Sequence, residues 1–247
     1  MEALVRATAW SLAIAGIAGC GLFPDLSSFD TPSDAASETK TGCGVHTFCD
    51  DFDHGPLGAT WDGVLTSSGP LVLSTTNVIT PPNALQATAI PDGGQSALSK
   101  TLISGDNVHI GFEVMVQAPS DTSSTQVDIV TLKMNLAPTG YQFVDFGLSR
   151  FLDATRLQQY ALPNSGAAIS QDILVNEAFA SWRHVDFVLA FSTQKLELYI
   201  DGTLTTTLDL NPPVPKTSTF VTVGVADTVT PQADWNVFID DFVVDVQ

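Results

Sequence analysis

From Cys49 to the end of the chain, apolar and polar residues alternate with a period of two. Ile110, Phe112, Val114 and Val116 share one side of the segment 109–116, and Val144, Phe146 and Leu148 share one side of 142–148. The same holds for Val185, Phe187, Leu189 and Phe191, for Leu196, Leu198 and Ile200, and for Val221, Val223 and Val225. Side chains on a strand point alternately to its two faces, so each segment predicts a half-buried strand. Turn-forming clusters separate them: Pro91 to Gly94, Ser104 to Asn107, Pro163 to Gly166, and Asp201-Gly202. Asp201-Gly202 lies between two alternating runs and predicts a tight hairpin. A short helical turn is expected near Asn176 to Ala180, and no long helical period follows the first twenty residues. About a dozen short strands, each with one apolar face, fold as two packed antiparallel sheets: an all-β sandwich of jelly-roll type. The chain shows no second break in composition, which predicts one folded domain.

The N-terminus has a different pattern. Its apolar stretch from Leu4 to Ala18 is interrupted by Arg6 and Thr8, and it falls short of the about 20 apolar residues of a bilayer-spanning helix. It has the length and small-residue ending of a secretory h-region. The last four residues, Ile17-Ala18-Gly19-Cys20, resemble the lipobox of bacterial lipoproteins. That resemblance implies cleavage before Cys20 and acylation of its thiol and amine. The other readings are a signal peptide with ordinary cleavage and a short N-terminal helix. Gly21 rather than Asp follows the cysteine, which by resemblance to enterobacterial sorting argues against inner-membrane retention. Residues 21–42 are rich in Ser, Thr, Asp and Pro without apolar period, and such a segment buries too little to offset its chain entropy. The expected organisation is a signal peptide at 1–19, a lipidated Cys20 with a flexible linker to residue 42, and a sandwich at 43–247. The expected location is the cell envelope outside the cytoplasm, lipid-anchored to a membrane, most naturally a bacterial outer membrane.

Charge narrows the partners. The chain carries 27 acidic and 9 basic residues, a net charge of −18. Phosphate-directed nucleic-acid binding needs Lys and Arg, so nucleic acid is excluded as a partner. An anionic membrane surface would repel the protein, leaving the lipid to anchor it. With Cys20 acylated, Cys43 and Cys49 remain as an even pair in an exported protein, and predict a disulfide closing a small loop. Its contribution is on the order of 2 kcal/mol. Two cysteines are too few for a zinc site, which needs four ligands.

Several segments together resemble laminin-G-like and concanavalin A-like lectin/glucanase domains. They are Trp182-Arg-His-Val-Asp-Phe-Val-Leu followed by Leu196-Glu-Leu-Tyr-Ile-Asp-Gly202; Cys49-Asp-Asp-Phe-Asp53 with Trp61; Pro81-Pro-Asn-Ala-Leu85; and the closing Trp235 to Val244. The resemblance spans roughly residues 47 to 247, and the order of the pieces carries more weight than any one. It implies a sandwich whose face or loop rim binds carbohydrate or protein, a last strand lying beside the first, and His184 and Trp182 as core or hairpin support.

The enzymes of that superfamily carry E-x-D-x-x-E on one strand, which sets two carboxylates about 5 Å apart across a glycosidic bond. This chain lacks the motif: Glu113, Glu177 and Glu197 stand alone. Glu113, Asp145, Asp186 and Glu197 fall on polar sides of their strands, where they are either solvated face residues or a pair assembled across strands. No nucleophile elbow and no zincin motif is present. Asp50, Asp51 and Asp53 open the domain and Asp240 and Asp241 lie in its last strand. If those strands are neighbours, their carboxylates converge as oxygen ligands for one Ca²⁺; otherwise they mark a charged sheet edge. Relatives hold a structural calcium near the terminal strands. For a sugar, Lys133, Asn135, Tyr141, Phe143, Asp145 and Tyr199 are the candidate groove, because aromatic faces stack on sugar rings and polar groups complete the contact. The alternative packs Phe143 and Tyr199 under loops or a neighbouring strand. The leading expectation is non-catalytic binding of a carbohydrate or surface ligand. The others are a divergent glycoside hydrolase or lyase, and a structural contact module that meets a cell-surface protein.

Overall fold

The computed structural model describes residues 43–67, 69–90, 94–117, 126–136, 140–149, 154–163, 168–175, 177–229 and 234–247. The lipobox with Cys20 and the linker at 20–42 lie outside the described residues.

The alternating segments become strands, and their apolar positions turn to one side. One sheet has eight strands. In spatial order they are β13 (Thr203–Asp209), β12 (Lys195–Ile200), β11 (Arg183–Ala190), β6 (Asn107–Gln117), β15 (Trp235–Val246), β4 (Ala84–Ala89) and β3 (Leu71–Ser74), with β1 (Phe48–Asp50) also on β15. The other has seven: β10 (Ile169–Val175), β9 (Ala154–Pro163), β8 (Gly140–Ser149), β7 (Gln126–Asn135), β14 (Thr219–Val229), β5 (Ser96–Leu102) and β2 (Gly63–Thr66). Both sheets are antiparallel throughout, and they pack as a two-sheet jelly-roll sandwich.

The core lies between the sheets. Ile110, Phe112, Val114, Val144, Phe146, Val185, Phe187, Leu196, Leu198, Val221 and Val223 are all buried, as their alternation requires. Aromatic rings bind the two layers together. Phe112 on β6 meets Phe187 on β11 and Phe242 on β15, each at 6.1 Å, and reaches across to Phe146 on β8 at 6.5 Å. Such offset and edge contacts contribute about 0.5–1.5 kcal/mol each beyond burial. The Asp201-Gly202 turn joins β12 to β13 with positive φ at both residues, 49° and 72°, the left-handed geometry that matches strand twist in a two-residue hairpin.

Residues 177–180 form no helix, contrary to the sequence expectation; Asn176 lies outside the described residues. Phe179 is buried against Phe146, 5.7 Å between rings, and its carbonyl accepts from the Val116 N–H at 2.7 Å. Packing on the core and pairing with the end of β6 hold this stretch extended, where a single helical turn would leave its backbone groups unpaired.

Strand β15 closes the domain beside β1, as the resemblance implied. Its first half, Trp235 to Ile239, pairs with β4, and Phe242 to Val244 pair with β1. Between the halves the register slips at Asp240-Asp241, where Asp241 takes a φ of 48°. This bulge hands the strand from one partner to the other. Cys43 is joined to Cys49 just ahead of Asp50, with Cα atoms 5.8 Å apart.

Candidate functional site

The outer face of the seven-stranded sheet carries most of the residues read as a groove. On β8, Val144 and Phe146 point into the core, so Tyr141, Phe143, Asp145 and Gly147 point out. Their partners on β7 are Asn135, Lys133, Thr131 and Asp128, and on β9 Leu162, Tyr160, Gln158 and Arg156. On the far side of β7, Phe220 of β14 lies opposite Lys133 and Asp227 opposite Asp128. The face is therefore divided. Tyr141, Phe143, Tyr160, Phe220 and Lys133 gather toward one end, and Asp128, Asp145, Arg156 and Asp227 toward the other.

At the aromatic end, the Lys133 ammonium stands 4.4 Å from the centre of the Tyr141 ring and 5.6 Å from that of Phe143. The two rings meet edge to face at 5.8 Å. A cation over an aromatic face is held by the ring quadrupole. Tyr141 is 41% exposed and Leu162 38%, so the end presents apolar surface beside the Lys133 charge.

At the other end, Asp128 reaches the Arg156 Nη2 at 3.3 Å, across the intervening strand. Gly147 stands between them in the register, and a Cβ there would come 2.8 Å from the Asp128 Oδ1. Absence of a side chain on β8 is what lets the two charges meet. Both Asp128 carboxylate oxygens also accept from the Gln126 amide at 3.2 Å, and Arg156 donates to the Gln158 Oε1 at 2.7 Å. Burial raises the Asp128 carboxyl to about 7, and the Asp145 charge adds to it against the pull of Arg156. Asp145 is also raised by burial, against its hydrogen bond from the Thr131 hydroxyl at 2.7 Å and the charge of Arg156. Two neighbouring carboxyls with elevated proton affinity are a recurring mark of functional sites.

Tyr199 does not join this face. It lies on β12 in the eight-stranded sheet, and its hydroxyl donates to Glu197 at 2.7 Å. Burial and that carboxylate push the phenol up to about 12. Glu113, Asp186 and Glu197 lie on the same sheet, while Asp145 lies on the other; the four polar-side carboxylates are not one site. Alternation assigns each residue a side of its strand but not the sheet its strand enters.

His184, expected as core or hairpin support, lies on the outer side of β11. Its Nδ1 meets the Glu113 Oε1 at 3.0 Å and its Nε2 the Asp186 Oδ1 at 3.1 Å. Asp186 Oδ1 also receives His109 Nε2 at 2.8 Å, and His46 meets Asp245 at 3.0 Å. Imidazoles and carboxylates thus alternate along this surface. Burial alone would lower His184, but Asp186 and Glu113 overcome it and push the ring to about 10. Burial would raise Asp186, but His109 and His184 hold it well below the usual carboxylate range.

Of the five aspartates read as calcium ligands, Asp50 lies on β1 opposite Phe242 of β15, and each of the five accepts from protein donors. Asp240, fully buried, accepts from the backbone N–H groups of Ile79 and Thr80, both at 3.1 Å, and of Asp241 at 2.9 Å. Asp241 accepts from the Thr80 hydroxyl at 3.0 Å, and Asp53 from the Asn83 N–H at 2.7 Å. Asp50 takes the Trp61 indole N–H at 2.7 Å, the Thr60 hydroxyl and the Phe52 N–H, both at 2.8 Å. Asp51 accepts from the Asp53 N–H at 3.1 Å and meets His54 at 3.2 Å. Together they fasten the loops ahead of β2 and β4 into the place where β15 changes partner. Among the described residues, no three His, Cys, Asp or Glu side chains are gathered as a metal cage. Burial raises Asp240 to about 7 despite its backbone donors.

Sequence reasoning passed over Asp128, Arg156, Tyr160 and Phe220. Strict alternation from Lys133 and Thr131 turns Asp128 toward the core; a register shift between Asp128 and Val130 turns it out. The available signal was a lone charge inside the apolar run Val127 to Val130.

No family model and no curated protein matches this sequence. Solved structures do match its fold. The cellulose-induced protein Cip1 is 15% identical, with a TM-score of 0.54 over 81% of this chain and 97% of its own. The catalytic domain of an endo-1,3-beta-glucanase (laminarinase) from Thermotoga petrophila is 13% identical, with a TM-score of 0.49 over 81% and 96%. The binding domain of botulinum neurotoxin DC, solved in complex with SialylT, is 13% identical at a TM-score of 0.48. That match covers 73% of this chain and 42% of the toxin domain, so this chain spans less than half of it. At 15% identity the likeness to Cip1 shows the fold alone, a two-sheet jelly roll.

Proposed function

We propose that this protein is a glycan-binding module of the cell envelope, held to a membrane through lipid on Cys20, with a sugar-stacking surface on the outer face of its seven-stranded sheet. One observation carries the reading: Tyr141, exposed beside Phe143 and Leu162, offers a flat apolar ring next to polar Lys133, Asn135 and Asp145. Sugar rings have one apolar face and a rim of hydroxyls, and this pairing of aromatic surface with nearby hydrogen-bonding groups suits both.

Depletion of the protein from solution by a panel of soluble and insoluble polysaccharides tests it, with reducing ends assayed in the same tubes. Binding that Tyr141→Ala weakens by about tenfold or more is the expected result. A panel that depletes nothing refutes the glycan reading and leaves a contact with a cell-surface protein as the use of this face. The anchor is tested by Cys20→Ser, which is expected to move the protein from the membrane fraction to the soluble one.

A second reading is favoured by Asp128 and Asp145. A carboxyl that keeps its proton near neutrality is the general acid of glycoside cleavage, and a neighbouring carboxylate completes the pair. Reducing ends released by the wild type and lost in both Asp128→Asn and Asp145→Asn would establish hydrolysis; a polysaccharide bound without release rules it out.

A further inference from the structure

We infer that the glycan taken at the Tyr141 end is an acidic one, a saccharide bearing a carboxylate or a sulfate that pairs with the Lys133 ammonium; this deepens the proposed glycan-binding reading and rests on it.

The argument starts from how the cations of this acidic chain are used. Among the described residues, Lys100 pairs with Asp62, Lys195 with Asp209 and Lys216 with Asp106. Arg156 pairs with Asp128, and Arg183 with Glu177 and Asp201. Lys133 is the one described Lys or Arg with no carboxylate within salt-bridge distance; its partners are the rings of Tyr141 and Phe143. In a chain with 27 acidic residues this isolation is a property of the site.

The strands explain it. Lys133 is flanked on β7 by Thr131 and Asn135 on the same side, and opposed by Phe143 on β8 and Phe220 on β14. None is an acid. Asp145, two positions along β8, accepts from Thr131. The ammonium is thus carried on an aromatic platform, on a half-buried side chain. A cation held in this way offers its hydrogen bonds to an incoming anion without first breaking an internal ion pair.

The platform also limits the ligand. Stacking on Tyr141 needs a ring with an apolar face, which a pyranose has and an inorganic anion lacks. Asp227, exposed at the other end, repels negative charge there. The anionic group belongs at the Lys133 end and neutral residues of the same chain over the rest, so a sparsely charged polymer fits better than a dense polyanion.

The test is calorimetric titration of the full chain at low salt with three oligosaccharides of matched length: a β-glucan bearing one uronic acid, the same β-glucan bearing one sulfate, and the unmodified neutral β-glucan. At least one acidic ligand is expected to bind about tenfold more tightly than the neutral one, the contribution of one charge-assisted contact. High salt is expected to shrink that advantage. The arm that binds distinguishes carboxylate from sulfate. Lys133→Met keeps the stem over the rings and removes the charge; it is expected to bring the acidic-to-neutral ratio close to one, while Lys133→Arg preserves it. An acidic-to-neutral ratio near one in the wild type overturns the inference and leaves glycan binding standing, as does a ratio unchanged in Lys133→Met. Absence of binding to all three, together with an empty polysaccharide panel, removes the proposed function and the inference with it.

Discussion

Lowering the pH from 8 to 5 is expected to stabilise the folded domain. Asp128 and Asp240 are buried, 4% and 0% exposed, and burial raises each from the ordinary 3.8 to about 7. A carboxyl that holds its proton more tightly folded than unfolded contributes stability that is fully present below pH 3.8. That contribution is lost as the pH rises through about 7. Each tenfold difference in proton affinity is worth about 1.4 kcal/mol, so between pH 8 and 5 each carboxyl contributes roughly 2–3 kcal/mol. The two lie in different sheets, which makes their effects close to additive. His184, raised to about 10, acts in the same direction: its share is full below pH 6.5 and lost toward 10. Asp186 is lowered, so its contribution is lost only below about pH 3.8, outside the window. At about 2–4 °C per kcal/mol for a domain of this size, the two carboxyls alone should raise the melting temperature by roughly 10–20 °C. Scanning calorimetry of residues 43–247 at pH 5, 6.5 and 8 measures this. Asp128→Asn keeps the acceptor for Arg156 and removes the titration, and should cut the pH dependence by about a third. A melting temperature that is flat or higher at pH 8, or a variant that keeps the full dependence, refutes the reasoning.

Other consequences are as direct. Gly147→Ala places a Cβ 2.3 Å from the Val127 carbonyl oxygen and 2.8 Å from Asp128 Oδ1; a loss of about 1–3 kcal/mol in urea denaturation is expected, and an unchanged midpoint would show that the strands yield freely. The His184 ring, held between Glu113 and Asp186, should remain protonated at pH 8 in an NMR titration, whereas a midpoint at 6.5 would mean that the two contacts do not form in solution. The carboxylates of Asp50, Asp53, Asp240 and Asp241 accept from protein donors, and a calcium site among them is tested by a melt with EDTA and with added calcium: a rise of several degrees with calcium would support it, and an unchanged midpoint in both would remove it.

The strand faces were legible because burial on a strand is a local, period-two property. Ile110, Phe112 and Val114 announce their side whatever strand lies beside them. The hairpin at Asp201-Gly202 was legible for a similar reason: its turn chemistry lies within two residues. Half of the candidate face was legible too, since Lys133, Tyr141, Phe143 and Asp145 were placed on polar sides. What alternation cannot carry is a break in itself. The register shift beside Asp128 reverses the side of one residue, and the shift at Asp240-Asp241 passes β15 from β4 to β1. Both depend on the neighbouring strand.

The sequence by itself thus determined that this chain makes strands, which side of most of them is apolar, that they close as a jelly-roll sandwich, and that the domain is strongly acidic. Only the tertiary structure decided which sheet each strand enters. That choice separates Tyr199 from Tyr141, sends Glu113 and Asp186 to a row of histidines, and turns the terminal aspartates into loop fastenings. It also sets Lys133 on its rings while the other described cations find acids. The physical reason is range: side-chain periodicity is settled within a few residues, whereas partners such as Asp128 with Arg156, or Asp240 with Thr80, meet only through pairings that span the chain.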